Sequence, residues 1–258
     1  MEKTFLSKTD VGWKTLYRIG AFAILIAVVF FRRYYGAELS AFNGFGIYAM
    51  PETEPVSALE WFQVLQDYPY VGLSWLGLHD LVNYLLVGLF FLALYAALRE
   101  FSPGLMLIAL ADGLLGVGVY LVTNQAFALW GLSHKYAAAT SEAQRAVYLA
   151  AGESLLAIHN PAGLPNLGAG PHIALFLVFT AGLLFSVVML HSGAFNKKTA
   201  IIGLLSNGLG LLFVPLLILP PAFHWIAPTI SAPFRIIWYV MSALRLLKAA
   251  KLKPDEKI

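Results

Sequence analysis

His79, Asp80 and Asn83 are the residues of this sequence whose types and spacing invite chemistry. His79 and Asn83 stand four apart and Asp80 and Asn83 three apart, so a helix through them carries all three on one face. An imidazole can ligate a metal or move a proton near neutral pH. A carboxylate can orient that imidazole or pair with a cation, and a carboxamide can hold a ligand by donating and accepting hydrogen bonds. The surrounding stretch, Trp75 to Leu98, is otherwise apolar. It is long enough to cross a bilayer, which takes roughly 20 residues at about 1.5 Å each. An ionisable group inside such a span costs about 2.5–3.5 kcal/mol on insertion scales, so it faces protein or a wet cavity.

The other polar residues that stand out lie at the ends of apolar runs: Asn124 and Gln125, His172, His224 and Arg235. Glu153 and His159 belong to a more polar segment. Asn124, Gln125, Glu153, His172 and Arg235 form, with His79, Asp80 and Asn83, the candidate ligand-binding set, and His79, Asp80 and Arg235 are expected to share one cavity. Asp112, within an apolar run, is the candidate for proton or ion coupling, because an acid at that depth is costly to keep. Asn207 lies in a glycine-rich run and reads as an inter-helix hydrogen bonder.

No cofactor is predicted. The metal alternative is haem, zinc or copper on His79 with His159, His172 or His224, since imidazole suits all three. No HExxH pattern and no close His pair supports it. Cysteine is absent, which removes disulfides, iron–sulfur clusters and thiolate sites. No G-x-S-x-G elbow accompanies Ser74, Ser133 or Ser154, and no Walker or Rossmann glycine pattern occurs. Trp61, Trp75, Trp130, Trp225 and Trp238 read as interfacial anchors.

Positioning these residues falls to a set of apolar helices. The chain is 59% hydrophobic and 12% charged, against about 25% charged in soluble domains. A net charge of +3 is too small to suggest nucleic acid as a partner. The lipid bilayer is the expected partner, with a membrane protein or a second copy of the chain as further possibilities. The whole chain, 1–258, reads as one integral membrane domain. Spans are predicted at about 16–33, 75–98, 105–128, 172–191, 200–219 and 230–247, the last interrupted near Pro233. The run after Leu16 has a basic start, but no small-residue cleavage site follows, so it reads as a retained helix. SALEWFQVLQDY reads as a short surface helix. An amphipathic helix is predicted over 141–158, with Ser141 as N-cap, Gln144 completing a capping box, and Val147, Ala151, Ser154, Leu155 and Ile158 on one face. The fold class is therefore all-α: a polytopic helical membrane bundle of about six transmembrane helices plus an amphipathic outer helix.

Lys/Arg excess marks cytoplasmic loops. With both termini cytoplasmic, the basic start, Arg99, the Lys197–Lys198 turn and the basic tail share the inner side, with Arg32 and Arg33 the contrary signal. His79, Asp80, Asn124, Gln125, His172, His224 and Arg235 then gather at the outer side. The stretch NQAFALWGLSHKYAAATSEAQRAVYLAAGESLLA, followed by FSVVMLHSGAFNKKTAIIGLLSNGLGL, resembles a family of uncharacterised bacterial multi-pass membrane proteins, a domain of unknown function. The resemblance covers Asn124 to Leu211 and implies a bacterial inner-membrane protein of about six helices; it brings no catalytic residues. The function expected is a binding or accessory subunit with a polar, outward-facing cavity for a small molecule, lipid or partner protein. The alternatives are a small-solute or ion-coupled transporter and a membrane enzyme with a His-ligated metal or haem.

Overall fold

The computed structural model describes residues 11–31, 51, 53, 55–160, 168–220, 223, 224 and 226–251. Arg32, Arg33 and Trp225 lie outside them. The helices are α1 (Val11–Phe31), α2 (Ala58–Asp67), α3 (Pro69–Trp75), α4 (Leu78–Leu98), α5 (Pro103–Thr123), α6 (Ala126–Ala137), α7 (Glu142–Ile158), α8 (Ala169–Ser192), α9 (Lys197–Leu211), α10 (Phe213–Leu216) and α11 (Ile226–Lys251). No strand occurs among the described residues, and the all-α class is the observed one. Five helical stretches are long and apolar enough to cross a membrane: Leu78–Leu98, Pro103–Ala137, Ala169–Ser192, Lys197–Leu216 and Ile226–Lys251. The chain is thus a multi-pass membrane protein. Helix α1 is also 21 residues long and packs against α11.

The chain forms two compact units. The first takes its described residues from 11–31, 83–119 and 173–251, and the second from 51–82 and 120–172. In the first, a core of large aromatics holds the long helices together. Phe90 is fully buried, with its ring 5.6 Å from Trp238, 5.5 Å from Tyr239 and 6.0 Å from Phe91. One end of this bundle is basic. The Arg99 guanidinium lies 3.7 Å above the Trp13 ring, and Arg245 donates to the Ala194 carbonyl at 2.7 Å, just before the Lys197–Lys198 turn.

The second unit packs α2, α3, α6 and α7 around Trp61, Phe62, Leu65, Leu129 and Leu156. Helix α2 starts at a full capping box: the Ser57 hydroxyl accepts from Glu60 N–H, and the Glu60 carboxylate accepts from Ser57 N–H. At α7, Ser141 accepts from Gln144 N–H at 3.3 Å as its spacing predicts, but Gln144 reaches back one residue further, to Thr140 N–H at 3.0 Å.

Several boundaries and faces differ from the sequence reading. Trp75 closes the separate helix α3, and Gly77 separates it from α4. The predicted span 105–128 breaks at Asn124–Gln125, and α11 runs through Pro233 without interruption. Trp61 and Trp238 are core residues, 0% and 1% exposed, and not interfacial anchors. The packed face of α7 is turned by one residue: Gly152 and Leu156 are buried while Val147 and Ile158 are exposed. A Cβ at Gly152 would stand 2.8 Å from Phe62 Cζ and 2.9 Å from Ala58 Cβ, so the glycine admits α2 and selects the face.

Candidate functional site

The candidate site lies in the second unit, where α3 gives way to α4. Gly77 takes φ 93°, a left-handed conformation that a side chain would strain, and it lets the chain turn between the two helices. A Cβ there would meet Tyr120 Oη at 2.8 Å, Asn124 Nδ2 at 2.9 Å and Asp80 Oδ2 at 3.6 Å. Polar atoms from α4, from the end of α5 and from the residue after it thus close on one stretch of backbone.

Two pairs of ionisable groups result. The Tyr120 hydroxyl donates to Asp80 Oδ2 at 3.4 Å, and the Tyr70 hydroxyl and His79 Nε2 share a hydrogen bond of 2.8 Å, their rings 5.6 Å apart. Asp80 stands in the first turn of α4, where the positive end of the helix dipole favours a carboxylate. These four side chains can bind by hydrogen bonds, hold a cation at the carboxylate, or pass a proton along the His79–Tyr70 contact.

Other residues of the predicted set have structural tasks. Asn124 uses both ends of its amide: Nδ2 donates to Leu76 O at 3.0 Å, and Oδ1 accepts from Ala126 N–H at 3.0 Å. It ties the α3–α4 turn to the start of α6. Glu153 reaches from α7 to accept from Ala58 N–H at 2.8 Å, satisfying a donor that helix α2 leaves open at its N-terminus. Gln125 precedes α6, and its Oε1 is buried with no partner among the described residues.

His159, just past α7, and His172, in the first turns of α8, are near neighbours in the same unit. His172 Nδ1 shares a hydrogen bond of 3.2 Å with Gly168 O, and a Cβ at Gly168 would stand 2.9 Å from Ile158 O. Burial, and then the charge of His172, holds His159 below the usual histidine pKa. The remaining predicted residues belong to the first unit. Asn83 carries a buried Oδ1 with no partner among the described residues. Asp112 is half-buried on α5. His224 is half-buried, and its Nε2 shares a hydrogen bond of 2.9 Å with Leu219 O. Arg235 is buried on α11, its guanidinium 4.2 Å above the Phe179 ring and donating to Ser231 Oγ at 2.7 Å.

Among the described residues, no three His, Cys, Asp or Glu side chains are grouped to hold a metal ion. The sequence reading missed Tyr70 and Tyr120. They lie nine and forty residues from their partners, and the only signal was Tyr120 standing one turn before Asn124. No family model, no curated protein and no solved structure matches this chain.

Proposed function

We propose that this multi-pass membrane protein is a binding or accessory subunit of a bacterial inner membrane, and that its second unit takes a small polar molecule at the Asp80–Tyr120 and His79–Tyr70 pairs. The carrying observation is that these groups meet at the α3–α4 turn from segments forty residues apart. Asn124 holds the α3–α4 turn, and Glu153 holds the start of α2. The resemblance of 124–211 to the bacterial multi-pass family supports the inner membrane.

The basic end of the bundle supports cytoplasmic termini. Arg99, Lys197, Lys198, Arg245, Lys248 and Lys251 fall at helix ends that an even number of crossings assigns to one side. The same count assigns the connections that build the second unit to the periplasmic side. Native mass spectrometry of protein released from nanodiscs tests the binding reading. Wild type should retain an adduct that Asp80→Asn with Tyr120→Phe loses. A bare wild-type mass, or the same adduct in both proteins, would sink it. The chain has no cysteine, so single cysteines at Lys198 and Ser154 test sidedness. A membrane-impermeant maleimide should reach Ser154→Cys from the periplasm and Lys198→Cys only after the membrane is opened.

A further inference from the structure

Among the described residues, most buried polarity lies inside the membrane bundle. Seven of the nine buried polar or charged residues among those described are on α8, α9 and α11: Ser186, Thr199, Ser206, Asn207, Ser231, Arg235 and Ser242. On α11, Ser231, Arg235, Trp238 and Ser242 follow steps of four, three and four, which keeps them on one face. On α9, which packs against α11, Thr199, Gly203, Ser206, Asn207 and Gly210 keep a matching step. The two helices meet along a seam of small and polar residues.

Parts of this seam are satisfied within the protein. The Ser186 hydroxyl donates to Gly182 O at 2.7 Å, Asn207 Nδ2 to Gly203 O at 2.8 Å and the Ser231 hydroxyl to Pro228 O at 2.8 Å. Three fully buried atoms are not. Trp238 Nε1, Ser206 Oγ and Ser242 Oγ have no hydrogen-bond partner among the described residues. They are strung along the seam with Trp238 in the middle. The indole nitrogen of Trp238 stands 2.6 Å from where a Cβ of Gly203 would be. The helices run antiparallel, since Arg235 and Gly210 both meet Phe179 while Trp238 meets Gly203, so Ser206 lies one turn to one side of the indole and Ser242 one turn to the other, each step about 5–6 Å between side-chain origins. A hydroxyl can turn back onto the carbonyl one turn earlier. An indole N–H can do nothing of the kind, because it only donates and its ring is fixed by packing. Inside a membrane no lipid group will accept it. Buried polar groups in such settings are bridged by ordered water with two to four partners.

We propose that the α9–α11 seam binds water at Trp238 Nε1–H, with Ser206 Oγ to one side and Ser242 Oγ to the other as its further partners, so that the centre of this helix pair is a hydrated joint. The site is independent of the one in the second unit. The test uses the full chain in nanodiscs with tryptophan labelled at the indole nitrogen. The Trp238 signal is assigned as the one missing from Trp238→Phe; if that variant does not fold, it is the one shifted by Ser242→Ala. A water-to-indole magnetisation-transfer peak is expected for Trp238, falling at least twofold in the Ser206→Ala/Ser242→Ala double variant. No transfer peak at Trp238 overturns the proposal. So does a peak that the double variant leaves undiminished, or an indole signal that responds only to Ser186→Ala, which would mark a direct bond to that hydroxyl.

Discussion

The two units bury polar groups by different means. In the second unit, side chains reach across sequence to backbone atoms: Glu153 to Ala58 N–H, Gln66 to Ser133 O and Asn124 to Leu76 O. Each bond joins two helices or a helix and a turn, so tertiary structure is stitched at helix ends, where backbone groups are open. In the first unit, such bonds appear at the basic end, as Arg245 to Ala194 O. Its middle is held by aromatic contact around Phe90 and by small residues that bring backbones together. A helical bundle among lipids gains little from burying apolar surface and must rely on close fit and polar contacts between helices. Shape should therefore dominate the bundle and single hydrogen bonds the second unit.

That contrast is most exposed at Phe90. Removing a fully buried ring that touches Phe91, Trp238 and Tyr239 leaves a cavity, and Phe90→Ala should cost about 3–5 kcal/mol in thermal or denaturant unfolding. A loss under about 1 kcal/mol would mean that fit does not hold the bundle. Gly203→Ala tests the same idea by overfilling. A Cβ there collides with Ser186 Oγ and stands 2.6 Å from Trp238 Nε1, so a loss of about 1–3 kcal/mol is expected. In the second unit, Glu153→Ala leaves Ala58 N–H without its acceptor. The loss should be about 1 kcal/mol, the usual scale of a lost cap, read by the emission of the buried Trp61. If Glu153→Ala cost more than Phe90→Ala, the contrast between the units would be reversed.

What could be read from sequence follows the same division. The long helices were legible because a bilayer demands unbroken apolar runs, and Ser141, Ser57–Glu60 and Pro103 mark helix starts by local chemistry alone. The site was half legible. His79 and Asp80 declared themselves as ionisable residues in an apolar run, but Tyr70 and Tyr120 are ordinary aromatics until the fold brings them near. Glu153 read as a candidate ligand-binding residue because its partner is a backbone N–H ninety-five residues away. Trp238 and Trp61 resembled membrane anchors because a tryptophan near a helix end and one in a core are the same letter. The α7 face was misread by one position because the apolar side chains were weighed and Gly152 was not, although the glycine decides which side α2 can approach.

The smallest expected effect separates the units by pH. His159 is held below the usual histidine value of 6.5, first by burial and then by the charge of His172. As pH falls through that value, the unfolded chain takes up the proton before the folded chain does. Stability is therefore full above about 6.5 and declines below it until the folded-state pKa is passed. The Glu60 carboxylate is also held low, first by backbone N–H groups of Val56 and Ser57, so its contribution is present at neutral pH and lost only further into acid, as pH falls through the carboxylate range. Two titrating groups in one unit thus act in separate windows. Unfolding temperature followed from pH 7.5 downward should begin to decline as pH falls below about 6.5. His159→Gln should flatten that first decline, whereas Glu60→Gln should change only the later one. If both variants kept the wild-type slope just below about pH 6.5, the early decline would belong to some other group, and His159 would not be the neutral ring that its surroundings imply.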